Sequence, residues 1–224
     1  MNLWIGALVS LVLMGGSMEI KHIHWLGQSG FRIEDDSLQM YIDPYIIPAG
    51  LPKADFIFLT HSHFDHFSME DIARIKTNRT IIVGPQDVVS KFLDSTVLVL
   101  PGKKYTVGPW NVTTVPAYNL DKKFHPKEKR WVGYIITFSH GQRIYHAGDT
   151  DFIPEMREIK TDIALLPCGG TYTMTAAQAA DAANSFHPSL VIPMHFGEGL
   201  GTVHAGDEVK KLFQGETIIK TIEP

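Results

Sequence analysis

The sequence holds one cysteine in 224 residues. A lone cysteine closes no intrachain disulfide, so a disulfide-stapled scaffold is excluded. Cysteine-ligated zinc ribbons and iron–sulfur clusters are excluded with it. Charge of either sign is also sparse, since 20 Lys and Arg against 24 Asp and Glu leave a formal charge of −4. A surface that grips nucleic acid broadly needs a basic face, so no nucleic-acid partner is expected. Long hydrophobic runs are missing too. The longest, residues 3–13, has eleven residues, where a bilayer span takes about 20, so no stable membrane span is expected. That run lacks the basic flank and the A-x-A site of a secretory signal. Residues 1–17 therefore read as an upstream extension with Met18 as the natural start, as a weak export signal, or as an interfacial anchor. The first reading implies a cytoplasmic protein and the second an exported one.

What remains is ordinary for a globular chain: 44% hydrophobic and 20% charged residues, read as one domain over residues 18–224. Alternating apolar residues predict short strands at residues 20–25, 31–33, 38–42 and 55–60. Ser68 followed by Asp71 marks a capped helix start. Strands and helices then alternate to residue 100, hairpin signals fill residues 101–145, and the rhythm of strand and helix returns. Helices are expected at residues 154–159, 175–185 and 205–213, with strands at 143–147, 163–166, 190–194 and 217–222. Two β-rich halves, each followed by β/α units, suggest two packed sheets with helices outside, an α/β (α+β) architecture.

Histidine is the abundant residue, with eleven. Three of them and an aspartate fall in His61-Ser62-His63-Phe64-Asp65-His66, directly after an apolar strand. Such a crowd of costly polar groups is most simply satisfied by a bound cation. Asp149 and His195 follow two other strands, and ligands in open α/β architectures gather at the carboxyl ends of strands. The set His61, His63, Asp65, His66, Asp149 and His195 suits Zn²⁺ (zinc), Mn²⁺ or Fe²⁺. It exceeds what one tetrahedral zinc needs, which suggests two ions sharing a carboxylate.

The string H-x-H-x-D-H at residues 61–66, with Gly148-Asp149-Thr150 and Pro193-Met194-His195-Phe196-Gly197 downstream, resembles the metallo-β-lactamase superfamily. Trp25-Leu26-Gly27-Gln28-Ser29-Gly30-Phe31 and Ile42-Asp43-Pro44-Tyr45 add to the likeness. The chain looks most similar to small stand-alone metal-dependent hydrolases related to L-ascorbate-6-phosphate lactonase. The resemblance implies a four-layer αββα sandwich. It implies that His61 and His63 hold one metal, that Asp65, His66 and His195 hold the second, and that Asp149 bridges them. Asp43 would orient ligands from behind.

One position departs from the pattern, because Asn119 stands where the family carries a third histidine for the first metal. Three readings follow: a mononuclear site of Asp65, His66, Asp149 and His195; weak or water-mediated ligation by Asn119; or replacement by His125 from the following loop. Tyr118, Asn119, His125 and Lys127 are also candidate substrate contacts. His146 reads as structural and Cys168 as a packed residue. The expected activity is hydrolysis of a small ester, lactone or phosphoester by metal-activated water, with Asp65 and Asp149 as the catalytic carboxylates. The alternatives are an RNA phosphodiesterase of the tRNA-processing type and a non-catalytic or oxygen-reducing metal protein. A small-molecule substrate is expected, and the chain could form a homo-oligomer.

Overall fold

Period-2 burial decides the architecture. The computed structural model describes residues 19–93 and 95–223, and the expectations for residues 1–17 lie outside them. A first sheet runs in chain order through β1 (Ile23–Gly27), β2 (Gly30–Asp35), β3 (Leu38–Ile42), β4 (Phe56–Phe58), β5 (Ile81–Gly84) and β6 (Thr96–Leu98). Its first three strands are antiparallel and the rest parallel. A second sheet runs through β7 (Lys104–Val107), β8 (Trp110–Pro116), β9 (Val132–Thr137), β10 (Arg143–His146), β11 (Ile163–Pro167), β12 (Leu190–Met194) and β13 (Glu216–Thr217). It too begins antiparallel and ends parallel. Among the described residues four α-helices accompany them: α1 (Met69–Ile75), α2 (Gln86–Val89), α3 (Ala176–Phe186) and α4 (Ala205–Leu212).

Successive strand residues face opposite sides of a sheet, and the two faces enter different apolar layers here. Met40, Ile42, Phe56 and Phe58 join Ile163, Leu165, Leu190 and Ile192 in a core between the sheets. The intervening Tyr41 and Ile57 pack instead with Ile72 and Ile75 of α1. Ala164, Leu166 and Val191 pack with the alanine-rich face of α3 and with Val209 of α4. Three apolar layers separate four structural layers, so the sandwich is helix, sheet, sheet, helix, as expected.

The capping signals are realised. Ser68 Oγ accepts from the Asp71 N–H at 3.2 Å. Thr175 and Gln178 close a reciprocal capping box at the start of α3. Phe58 is fully buried between Trp110 and Tyr134, with ring centroids at 6.5 and 5.2 Å. Phe58→Ala is expected to cost about 3–5 kcal/mol, read as a lower urea midpoint at unchanged slope.

Two expectations shift. Residues Ile20–His22 form a 3₁₀ turn and the strand begins only at Ile23. The last strand is Glu216–Thr217 rather than residues 217–222. After Ile218 donates to Val191 O, the tail leaves the second sheet and crosses to the first, where the Glu223 N–H donates to Trp25 O at 3.0 Å. Glu223 is held there by His24 and Lys220. Alternation in the sequence could not reveal this crossing, because extended backbone reads the same in a ladder or in a strap.

Candidate metal centre

Asp43, His61, Asp149 and His195 each follow the carboxyl end of a strand, β3, β4, β10 and β12 respectively. The two sheets therefore deliver their chemistry to one rim. Gly148 sits at φ +64° beside Asp149, and a Cβ there would press on Thr60 and on Val132 O at 3.1 Å. A side chain at that position would displace the Asp149 turn.

Asp43 is fully buried and its two oxygens are committed. Oδ1 accepts from the Thr60 N–H at 2.8 Å, and Oδ2 accepts from Thr60 Oγ1 at 2.6 Å and from His66 Nδ1 at 2.8 Å. The Thr60 hydroxyl in turn lies 2.9 Å from His61 Nδ1. Both imidazoles are thus gripped at Nδ1, which leaves each Nε2 pointing inward. Asp43, His61 and His66 converge closely enough to hold an ion. With every Asp43 oxygen occupied by a donor, however, the carboxylate acts as an orienting support.

Two other triads have open donor atoms: His61, His63 and His125, and Asp65, His66 and His195. His61 Nε2 lies 3.1 Å from His63 Nδ1. Asp149 stands between the triads. Its Oδ2 is 3.3 Å from His125 Nε2 and 3.0 Å from His195 Nε2, and its Oδ1 is 3.3 Å from His66 Nε2. The Nε2 atoms of His66, His125 and His195 and Asp149 Oδ1 are buried without a hydrogen-bond partner. Buried polar atoms are rarely left so. Imidazole and carboxylate donors converging in this way fit a divalent cation on each side of Asp149.

His125 is the loop residue that closes the first triad. It is buried, and Asn119 holds it in place. Asn119 Oδ1 accepts from the His125 backbone N–H at 3.1 Å and faces His125 Nδ1 at 3.0 Å. Asn119 Nδ2 donates to Tyr172 O at 3.0 Å. The carboxamide therefore orients an imidazole from behind, and of the three readings of this departure the geometry brings the His125 one together. Tyr118 and Lys127 are not brought to the centre. The Tyr118 hydroxyl lies 2.9 Å from Glu155 Oε2, and Lys127 Nζ donates to Tyr118 Oη and to Glu155 Oε1. An amphipathic tyrosine body packed in the outer core leaves its polar end with the nearest charged pair.

Two neighbours had no assigned role at the site from the sequence. Gln28, at φ +52°, donates from Nε2 to Asp65 Oδ2 at 2.7 Å, and its carbonyl accepts from the His195 N–H at 2.9 Å. Trp131 lays its ring against His61 and His63, with centroids at 4.9 and 4.7 Å, and is anchored by its indole N–H on Asp87 Oδ2. Neither residue type is a usual ligand, and only the folding of distant loops brings them here. His146 supports the Asp149 turn: its Nδ1 accepts from the Gly148 N–H at 3.2 Å and its Nε2 lies 2.9 Å from Ser29 O. Burial holds it below the ordinary histidine value, in its neutral form. Cys168 packs in the outer core, where burial pushes its thiol up to about 12.

The electrostatics are those of an ion-pair cluster. Burial, aided by His66, pushes His61 well below the usual histidine value. Burial opposes the charge on His66 as well, but the Asp149 and Asp43 carboxylates outweigh it and raise His66 well above that value. Burial opposes ionisation of Asp149, yet His195 and His66 hold it well below the usual carboxylate range. The Asp149 and Asp43 carboxylates favour the protonated form of metal-free His66, and an ion ligated there must displace that proton. Metal affinity at this triad is therefore expected to fall as the pH is lowered, because protonated His66 competes with the ion. Calorimetry in buffers of different ionisation enthalpy checks the sign, because the release of one proton is required.

Comparison with known proteins now bears on this geometry. The model of the beta-lactamase superfamily domain matches residues 22–195. The chain belongs to the metallo-β-lactamase superfamily. A UPF0173 metal-dependent hydrolase from Polaromonas is 33% identical, covering 89% of this chain and 86% of its own. Another, from Caldivirga maquilingensis, is 34% identical over 78% of this chain and 82% of its own. A crystal structure from Parabacteroides distasonis, described as that of a metal-dependent hydrolase, superposes with a TM-score of 0.80. It is 31% identical and covers 90% of this chain and 93% of that one. Family membership and the observed sandwich agree. No helix among the described residues is long and apolar enough to cross a membrane.

Proposed function

We propose that this member of the superfamily is a binuclear metal-dependent hydrolase of small carbonyl substrates such as esters and lactones. His61, His63 and His125 would hold one ion, Asp65, His66 and His195 would hold the other, and Asp149, between the two triads, would serve both. The observation that carries the reading is the Asp149 carboxylate, within 3.3 Å of an imidazole from each triad. Zinc suits the imidazole-rich first triad, with Mn²⁺ or Fe²⁺ as alternatives at the more oxygen-rich second. Divalent ions in such a site lower the pKa of bound water from ~15.7 towards ~7 and polarise the attacked oxygen.

The chain's own residues do the rest. Asp65 is partly exposed to the cavity and is held by the Gln28 amide, so its free oxygen is placed to take a proton from the attacking water. Asp43 and Asn119 fix the tautomers of His66 and His125 so that each presents a lone pair. Buried Trp131 packs on His61 and His63 and shields them from water on that side, which strengthens the charge interactions there. Phosphorylated and RNA substrates fit less well, because no lysine or arginine of the described residues lines the cavity at the centre. The relation to ascorbate-6-phosphate lactonase is weakened for the same reason. A cytoplasmic location accords with the lack of disulfides.

The test is metal-reconstituted turnover of a panel comprising an aryl ester, a lactone, a thioester, a phosphodiester and a β-lactam, with metal content measured alongside. Carbonyl hydrolysis with about two ions per chain is expected. Turnover of the phosphodiester alone would overturn the substrate class, and redox-active iron without hydrolysis would favour an oxygen-reducing protein.

A further inference from the structure

Two cavities meet beside the metal centre. The inner one, of about 350 Å³, reaches His63, His125, Asp149 and His195. The outer one, of about 670 Å³, shares Phe64, Asp65, Gly199 and Leu200 with it. From that junction the outer groove continues past Phe196 and Leu26 to Ile222 on the C-terminal strap, with Tyr45 and Ile46 also lining it.

The groove is apolar where solvent reaches it. Phe64 is 74% exposed and Ile46 72% exposed. Phe64 lies edge-on to Tyr45 at 5.9 Å. Ile46 adopts φ +50°, a left-handed conformation that a β-branched residue reaches only when its surroundings impose it. They do so here: Asp71 accepts from the N–H groups of both Ile46 and Ile47, at 2.8 and 3.2 Å. The fold thus holds a strained isoleucine outward at the edge of a groove that opens on the metal centre.

Charge narrows the occupant. The charged residues lining the two cavities are Asp65, Asp149 and Glu198, and neither cavity is lined by a lysine or arginine of the described residues. Two basic residues of the neighbouring loop are engaged elsewhere, Lys122 by Asp151 and Lys127 by Glu155. An anionic tail would meet Glu198 with no compensating cation, whereas an uncharged hydrocarbon tail would cover Phe64, Leu200 and Ile222.

The geometry points to an acyl-chain subsite: the outer groove takes the uncharged apolar tail of a substrate whose reacting carbonyl lies in the inner cavity. The clause about the carbonyl rests on the hydrolase reading, and the groove's affinity for an apolar chain does not.

Two measurements separate them. The full chain is titrated with the neutral fluorophore N-phenyl-1-naphthylamine, metal-free and metal-loaded, as wild type, Ile222→Glu and Ile46→Asn. The metal-loaded proteins are then assayed on 4-nitrophenyl esters from butyrate to decanoate. Wild-type kcat/KM is expected to rise about twofold per methylene, half the free energy of full methylene burial, hence roughly 60-fold across the series. In both variants the decanoate-to-butyrate ratio should fall at least fivefold, carried by KM, and the fluorophore Kd should weaken by as much. A fluorophore that fails to bind, or binds all three proteins equally, overturns the subsite. A flat chain-length series alongside good butyrate hydrolysis also overturns it and leaves the hydrolase reading standing. Fluorophore binding that weakens in the variants, with no ester hydrolysed at any length, supports the subsite and overturns the ester-hydrolase reading.

Discussion

Asp149→Ala is expected to abolish hydrolysis, with kcat/KM falling by at least about 10³-fold. Replacing a group that merely orients a ligand costs about 10–100-fold. Asp149 exceeds that role because its two oxygens face His66 on one side and His125 and His195 on the other. Its removal takes a ligand from both proposed ions and leaves His66 with Asp43 at 2.8 Å and Asp65 at 3.8 Å. Metal content should fall from about two ions per chain to one or fewer. Elemental analysis after gel filtration checks this, and retention of two ions would overturn the bridging role. Stability should also change in a defined direction. The Asp149 pKa is depressed in the fold, so its contribution is present above the unfolded carboxylate value and is lost as pH falls through the folded one. The metal-free wild type should therefore lose its advantage over the variant in strong acid, as thermal unfolding across pH would register.

His125→Ala and Asn119→Ala are expected to differ in kind. The first removes a proposed ligand, so one ion per chain should be lost and kcat/KM should drop by about 10³-fold. The second leaves the imidazole but frees its Nδ1 and its backbone N–H from the carboxamide. Its cost should be the 10–100-fold in metal affinity typical of a lost orienting partner, with activity restored by excess metal. Asn119→His tests the remaining reading. The Asn119 side chain lies between His125 and Tyr172 O, so an imidazole there displaces His125 rather than adding a ligand. No gain in metal stoichiometry is expected. A gain from one ion to two would show that the wild type is mononuclear and that position 119 is the true ligand site.

Much of the fold was legible because it obeys local rules. The 2-residue period in Met40-Tyr41-Ile42 and Phe56-Ile57-Phe58 encodes two packed faces, and the structure places those faces in two apolar layers. The start of α1 was legible because Ser68 and Asp71 satisfy a helix end by themselves. The residues 61–66 signalled a metal because four candidate ligands, three histidines and an aspartate, in six positions leave few other ways to satisfy them. The C-terminal strap was not legible, since its course depends on the partner that Glu223 finds on β1, nearly the whole chain away. Gln28 and Trp131 were hidden for the same reason: an amide and an indole carry no metal signature until folding sets them beside Asp65 and His61.

By itself the sequence determined the layering, the superfamily and a crowding of histidine and aspartate at residues 61–66, because strand alternation and residue clustering are short-range properties. Only the tertiary structure brings His125 beside His61, His63 and Asp149, with Asn119 behind it. His125 reaches the first triad through a loop whose closure depends on Asn119 gripping His125 and Tyr172 at once, and no spacing along the chain encodes that grip.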